Sequence, residues 1–111
     1  GADAFHENYV KRFNDPPDYH AAEAYAAVLV AADALKRAGS HSSQAIRKAL
    51  NQTVLTTPFG PVKFYNYHRY ERQNSIRTLV LQIIIGRFTL IWPPEFAESG
   101  FIPPAILQAP E

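Results

Sequence analysis

The stretch DYHAAEAYAAVLVAADALKRAG, residues 18–39, decides the fold. It predicts a single helix, because Asp18 is a favoured N-cap residue and Gly39 suits the left-handed position that follows a helix. Between Ala24 and Ala32 the hydroxyl of Tyr25 is the sole polar side-chain group. A helix this apolar is expected to be buried on most sides, either by the rest of the chain or by a partner.

Two shorter helices are predicted on either side of this stretch. The first has an apolar stripe at spacings of three and four, and the second follows a short Ser-rich capping segment. The predicted bounds of the three helices are 2–14, 18–38 and 43–51. The stripes that predict the flanking helices are Ala2, Phe5, Tyr9 and Phe13, and Ala45, Ile46, Ala49 and Leu50.

Extended structure is predicted after the third helix. Residues 61–64 are expected to form a short strand, and residues 78–85 and 88–92 a β-hairpin. Gly86 and Arg87 are expected to make its two-residue loop, since Gly at the first position suits a type II′ turn. This register predicts one buried face, because side chains alternate along a strand. Its three facing pairs are Ile85 with Phe88, Ile83 with Leu90, and Leu81 with Trp92.

The segment YNYHRYERQNS, residues 65–75, interleaves tyrosines with basic residues. Aromatic and basic residues in alternation can bind single-stranded nucleic acid. The chain carries a net charge of only +1, whereas such binders normally have a strongly basic surface. The interpretation is therefore a solvated loop, and no nucleic-acid partner is expected.

Composition predicts one small globular domain. The chain has 111 residues, of which 47% are hydrophobic and 19% charged, so a modest core is possible. It has no cysteine, which excludes disulfides and thiolate metal sites. The apolar run from Ala24 to Ala32 is about half the ~20 residues that a membrane-spanning helix needs.

Motifs for catalysis are not found. The four histidines show no metal-binding spacing, and no nucleophile elbow, phosphate-binding loop or dinucleotide fingerprint occurs. His20 and Glu23 share a helix face and could hold a metal or relay a proton. A first-turn carboxylate beside an imidazole explains the same pair without chemistry. No enzyme activity, metal or cofactor is predicted.

Four segments in this order resemble the C-terminal part of type I periplasmic substrate-binding proteins, the branched-chain amino acid or amide class of ABC transporters. They are DYHAAEAYAAVLVAADALKRAG, SSQAIRKAL, TTPFGPVKF and LVLQIIIGRFTLIWPPEF. The resemblance covers roughly residues 2–96. It implies that the chain is a segment of a longer, two-lobed α/β protein with a signal peptide upstream, located in the periplasm or outside the cell.

The resemblance also implies a function and a site. Family members capture a small ligand, here an amino acid or amide, between two lobes and deliver it to a membrane permease. The start of the helix at residues 18–39 reaches that cleft, which makes Tyr19 and His20 the candidate ligand contacts. The resemblance implies no cofactor.

The resulting expectation is an α+β chain with three helices, a short strand and a C-terminal hairpin, forming a partial substrate-binding domain at residues 1–92. A proline-rich tail is expected at residues 93–111. Two alternatives stay open: an interaction module that forms a homodimer through its apolar helix, and a small metal or enzyme site at His20 and Glu23.

Overall fold

The computed structural model describes residues 1–103, which form three helices and five strands. The helices are α1 Ala2–Phe13, α2 Tyr19–Ala38 and α3 Ser43–Asn51, and the strands are β1 Val54–Thr57, β2 Gly60–Tyr67, β3 Tyr70–Asn74, β4 Val80–Ile84 and β5 Arg87–Trp92. The predicted α+β class is confirmed. The chain forms two compact units, the first Gly1–Ile76 and the second beginning at Arg77.

The helix ends follow the predicted capping chemistry. The backbone N–H of Ala21 donates to Asp18 Oδ1 at 2.8 Å, and that of Ala45 donates to Ser42 Oγ at 3.2 Å. These bonds satisfy amide groups that have no partner within the first turn of a helix. Gly39 has φ 57° at the end of α2, a left-handed conformation that glycine adopts without steric cost.

Small residues form the contact between α2 and α3. Ala26 and Ala34 of α2 and Ala49 of α3 are buried, and so is Val62 of β2. Alanine lets two helices approach closely, but it buries little apolar area. Among residues 1–103, the expected burial of α2 on most sides is therefore not met, and Val28 is 67% exposed.

The first unit contains a three-stranded antiparallel sheet in the order β1-β2-β3. In the turn between β1 and β2, Thr57 pairs with Gly60, and the Thr57 hydroxyl donates to the Gly60 carbonyl at 2.8 Å. The predicted strand at 61–64 lies inside β2. The prediction of a loop at residues 65–75 is wrong, because β2 continues to Tyr67 and turns back into β3.

The β4–β5 hairpin in the second unit has a different register from the predicted one. Its loop is Ile85-Gly86, with φ 49° and 73°, and Ile84 pairs with Arg87. Two consecutive residues with positive φ are typical of a type I′ turn, so the predicted type II′ loop at Gly86-Arg87 is wrong. The loop therefore begins one residue earlier than predicted, with Gly86 at its second position and not its first.

The shift also changes which residues face each other. Ile83 lies opposite Phe88, and Leu81 lies opposite Leu90. The predicted burial of this face is wrong, since Leu81, Ile83 and Phe88 are exposed. The opposite face, which carries Gln82, Ile84, Thr89 and Ile91, is the half-buried one.

Ile85 offers a direct test of this register. A β-branched residue at positive φ carries a steric cost of about 1 kcal/mol or more, and the Ile85 side chain is 96% exposed. Ile85→Asn creates the Asn-Gly sequence that type I′ turns favour. We expect it to raise the opening free energy of the β4 and β5 amides by about 1 kcal/mol, which slows their hydrogen exchange.

Ile85→Val is the matched control for this substitution. It keeps the β-branched side chain at positive φ, so it should leave exchange unchanged. Faster exchange in the Asn variant would contradict the Ile85-Gly86 loop and favour the loop at Gly86-Arg87, in which residue 85 belongs to a strand.

After β5 the chain returns along the hairpin. The side-chain amide of Gln82 exchanges two hydrogen bonds with the backbone of Ile102. The predicted tail boundary between residues 92 and 93 stays a prediction, and the tail residues Pro104, Ile106, Leu107 and Pro110 lie outside the described residues. Among residues 1–103, no helix is long and apolar enough to cross a membrane.

Candidate functional site

The two predicted ligand contacts lie side by side at the N-terminus of α2. The rings of Tyr19 and His20 have centroids 3.8 Å apart and an interplanar angle of 32°. Tyr19 is 63% exposed, and the His20 side chain is similarly open to solvent. The two rings therefore stack partly on each other, and the outer ring faces and the imidazole edge are left for contact with a small amphipathic molecule.

Asp18 fixes this end of the helix and orients His20. Its Oδ1 accepts from the Ala21 N–H, and its Oδ2 lies 3.5 Å from His20 Nδ1. The hydrogen bond from the Ala21 backbone, assisted by His20, holds the pKa of Asp18 below its usual value. At neutral pH the carboxylate is thus ionised beside the aromatic pair, where a ligand ammonium group could bind.

An apolar groove lies next to this helix end. It has a volume of about 850 Å³ and is lined by residues of α1, of α2 and of the turn between β1 and β2. Phe5 packs on Tyr25 with ring centroids 5.0 Å apart, and Tyr9 packs on Phe13 at 4.6 Å. Asn8 and Arg12 supply polar groups at the same groove. An apolar lining with a few polar groups is the usual composition of a small-molecule site.

Sequence reasoning identifies the aromatic stripe of α1 but not this groove. The spacing of Phe5, Tyr9 and Phe13 predicts the packing face of a helix, and in the structure these residues instead line the open groove. Tyr19 and His20 precede the part of α2 that lines it, which begins at Ala21. The sequence signal is the four-residue spacing of aromatic residues, which predicts a shared face but not what covers it.

The pair His20 and Glu23 is the alternative metal site. Within residues 1–103, no three or more His, Cys, Asp or Glu side chains are grouped so that they could hold a metal ion. The imidazole of His20 has Asp18 as its acidic neighbour. The arrangement is that of a capped helix start with an adjacent aromatic pair.

Comparison with known families gives the class of protein. The sequence model of the family described as periplasmic binding protein matches residues 1–80. The match spans α1 to the start of β4 and covers more than half of the 111 residues. The chain belongs to the periplasmic binding protein family, and the predicted family is confirmed.

No solved structure matches the chain. The family supports a solute-binding role in general.

Proposed function

We propose that this chain forms one wall of the ligand cleft of an ABC-importer substrate-binding protein. The ligand is an amino acid or a related amide, captured between two lobes and passed to a membrane permease. The protein works in the periplasm or outside the cell, as the family suggests. Its action is binding by closure of lobes, with no reaction catalysed and no cofactor used.

The observation that carries this proposal is the exposed Tyr19–His20 pair on a chain that matches the periplasmic binding protein family. An apolar ligand side chain would pack on the Tyr19 ring. His20 can donate or accept a hydrogen bond at its free ring nitrogen, and the ionised Asp18 attracts an ammonium group. These three groups match the chemistry of a free amino acid.

One wall alone should bind weakly. Titration of the chain with leucine, phenylalanine or a short amide should give no dissociation constant tighter than about 1 mM, or about −4 kcal/mol. At higher ligand concentration, the amide resonances of Tyr19 to Ala22 should shift in a nuclear magnetic resonance experiment. The physical reason is that an open surface leaves most of a small ligand in water.

Tyr19→Ala with His20→Ala should abolish those shifts, whereas Tyr67→Ala, an exposed tyrosine on β2, should leave them unchanged. Shifts confined to residues lining the α1–α2 groove would move the ligand site to the groove. A micromolar dissociation constant would contradict the one-wall proposal, because it would require a complete pocket in this chain.

A homodimer is the second candidate, and the exposure of α2 favours it. Tyr25, Val28 and Leu35 are exposed, and together with Ala32 they follow one another at spacings of three, four and three. This is the spacing of the contact positions in a coiled coil. A two-fold dimer would cover the stripe with the same stripe of a second copy.

A metal or proton-relay site at His20 and Glu23 is the remaining alternative. It predicts that zinc or another divalent ion shifts the His20 ring resonances at micromolar concentration. A titration in which these resonances do not move would exclude a metal site at His20 and Glu23.

A further inference from the structure

The hairpin formed by β2 and β3 carries a cluster of aromatic and basic side chains that ligand capture does not use. Tyr67 pairs directly with Tyr70, so the two side chains lie on the same face of the hairpin. Tyr65 shares that face, because it precedes Tyr67 by two residues on one strand. All three tyrosines are exposed.

Two cations lie on the rings of this face. The Lys63 ammonium is 4.9 Å from the Tyr65 ring centroid, and the Arg69 guanidinium is 5.1 Å from that of Tyr70. Arg69 Nη2 also donates to the Tyr70 hydroxyl at 3.0 Å. Cation–π contacts hold both charges at defined positions on the surface.

The net charge of the β2–β3 hairpin differs from that of the rest of the chain. Residues 60–74 contain Lys63, Arg69 and Arg72 against the single carboxylate of Glu71, a charge of +2, while the whole chain has +1. The other residues are thus slightly acidic. An exposed face that is both tyrosine-rich and basic has the composition of a protein-binding surface, in which tyrosine and arginine are enriched.

We propose that this face, defined by Lys63, Tyr65, Tyr67, Arg69 and Tyr70, docks an acidic segment of a partner protein. Carboxylates of the segment pair with Lys63 and Arg69, and its apolar groups pack on the tyrosines. Single-stranded nucleic acid fits less well, because base stacking needs free ring faces, and cations occupy one face of both Tyr65 and Tyr70.

A β-bulge shapes the hairpin beside this face. Arg72 has φ 59°, and its backbone N–H donates to the side-chain Oδ1 of Asn66 at 3.1 Å. The register shifts between Tyr65 and Tyr67 at this point. A bulge of this kind twists the strand pair and re-aims side chains, while the Tyr67–Tyr70 pair stays in register.

The test uses a fluorescently labelled copolymer of glutamate and tyrosine as the acidic probe, with binding followed by fluorescence anisotropy. We expect micromolar binding that weakens as salt is added, because exposed charge pairs are screened. Lys63→Glu with Arg69→Glu should weaken binding by at least about tenfold. Tyr67→Ser with Tyr70→Ser should weaken it as well, since the rings supply the apolar contact.

Arg47→Glu with Lys48→Glu is the matched control, because it reverses two exposed charges on α3. It should leave binding unchanged, and an equal loss would overturn the proposal in favour of general charge attraction. Lys63→Gln with Arg69→Gln removes the two cations without adding repulsion. Weaker copolymer binding by this variant would therefore reflect loss of charge and not misfolding. Absence of copolymer binding, or tighter tyrosine-dependent binding of oligo(dT), would also overturn the proposal.

Discussion

Replacing Arg37 with leucine is expected to lower the free energy of unfolding by about 2 kcal/mol, because it removes charge-assisted hydrogen bonds to partly buried groups. Arg37 Nη1 donates to the Ala49 carbonyl at 2.7 Å, and Nη2 donates to Thr53 Oγ1 at 3.0 Å. Thr53 is only 1% exposed. One side chain thus ties α2 to the end of α3 and to the residue that precedes β1.

The same guanidinium binds Asp33 on its own helix, at 2.8 Å from Nε and 2.6 Å from Nη2. This hydrogen bond holds the pKa of Asp33 below its ordinary value of 3.8. A lowered carboxyl pKa stabilises the fold above the unfolded pKa, and that contribution is lost as pH falls through the folded pKa. The difference in stability between the unmodified chain and the Arg37→Leu variant should therefore shrink below about pH 4.

Urea denaturation at pH 7 and pH 3 measures both effects. Arg37→Lys is the informative control, because lysine keeps the charge near Asp33 but cannot present the planar fork that reaches Ala49 and Thr53 together. Its stability should fall between those of the unmodified chain and the leucine variant. Arg47→Leu, which removes an exposed cation on α3, should change stability by less than about 0.5 kcal/mol. An equally small change in Arg37→Leu would show that the fork contributes nothing.

Sequence predicts the helices well because their signals are local. A cap residue acts on amide groups within its own first turn, so Asp18 and Ser42 can be identified without knowing what surrounds them. The left-handed glycine at the end of α2 has the same local origin. The family, too, can be recognised from segments that keep their order along the chain.

The hairpins are harder to predict, since their register depends on which residue accepts a positive φ. Glycine is the usual choice, and the sequence pattern therefore puts Gly86 first in the loop, whereas the structure has Ile85 there. Moving the loop by one residue moves each cross-strand partner by two, so Leu81, Ile83, Phe88 and Leu90 share one face in both registers. The prediction of a buried face is wrong because burial depends on what packs against the hairpin, which strand alternation does not show. The strand β3 escapes prediction because its residues are polar almost throughout and lie at the surface.

The site is predicted in part. A helix start can be located from sequence, and with it Tyr19 and His20, whose role as ligand contacts stays a prediction. The groove beside them requires α1 to lie against α2 through Phe5 and Tyr25, a long-range contact that spacing alone does not give. Which groups cover the apolar residues of α2 likewise depends on long-range structure.

Val28→Asp is expected to convert a homodimer into a monomer. Val28 lies near the middle of the exposed stripe that runs from Tyr25 to Leu35 and is 67% exposed in the single chain. In a two-fold dimer through this stripe, two carboxylates would meet in an apolar contact and lose their hydration without a partner. The dissociation constant should rise by well over tenfold, or more than about 1.4 kcal/mol.

The exposure of Val28 makes the fold of the monomer insensitive to this change. The substitution should therefore disrupt the dimer alone, and helix content by circular dichroism should be preserved. Val54→Asp is the matched control, because Val54 is 74% exposed and belongs to β1, not to the stripe on α2. Sedimentation at about 50 µM should show a dimer for the unmodified chain and for the Val54 variant. A monomer in the unmodified chain would show that the stripe on α2 stays open to solvent, or is covered by a different partner.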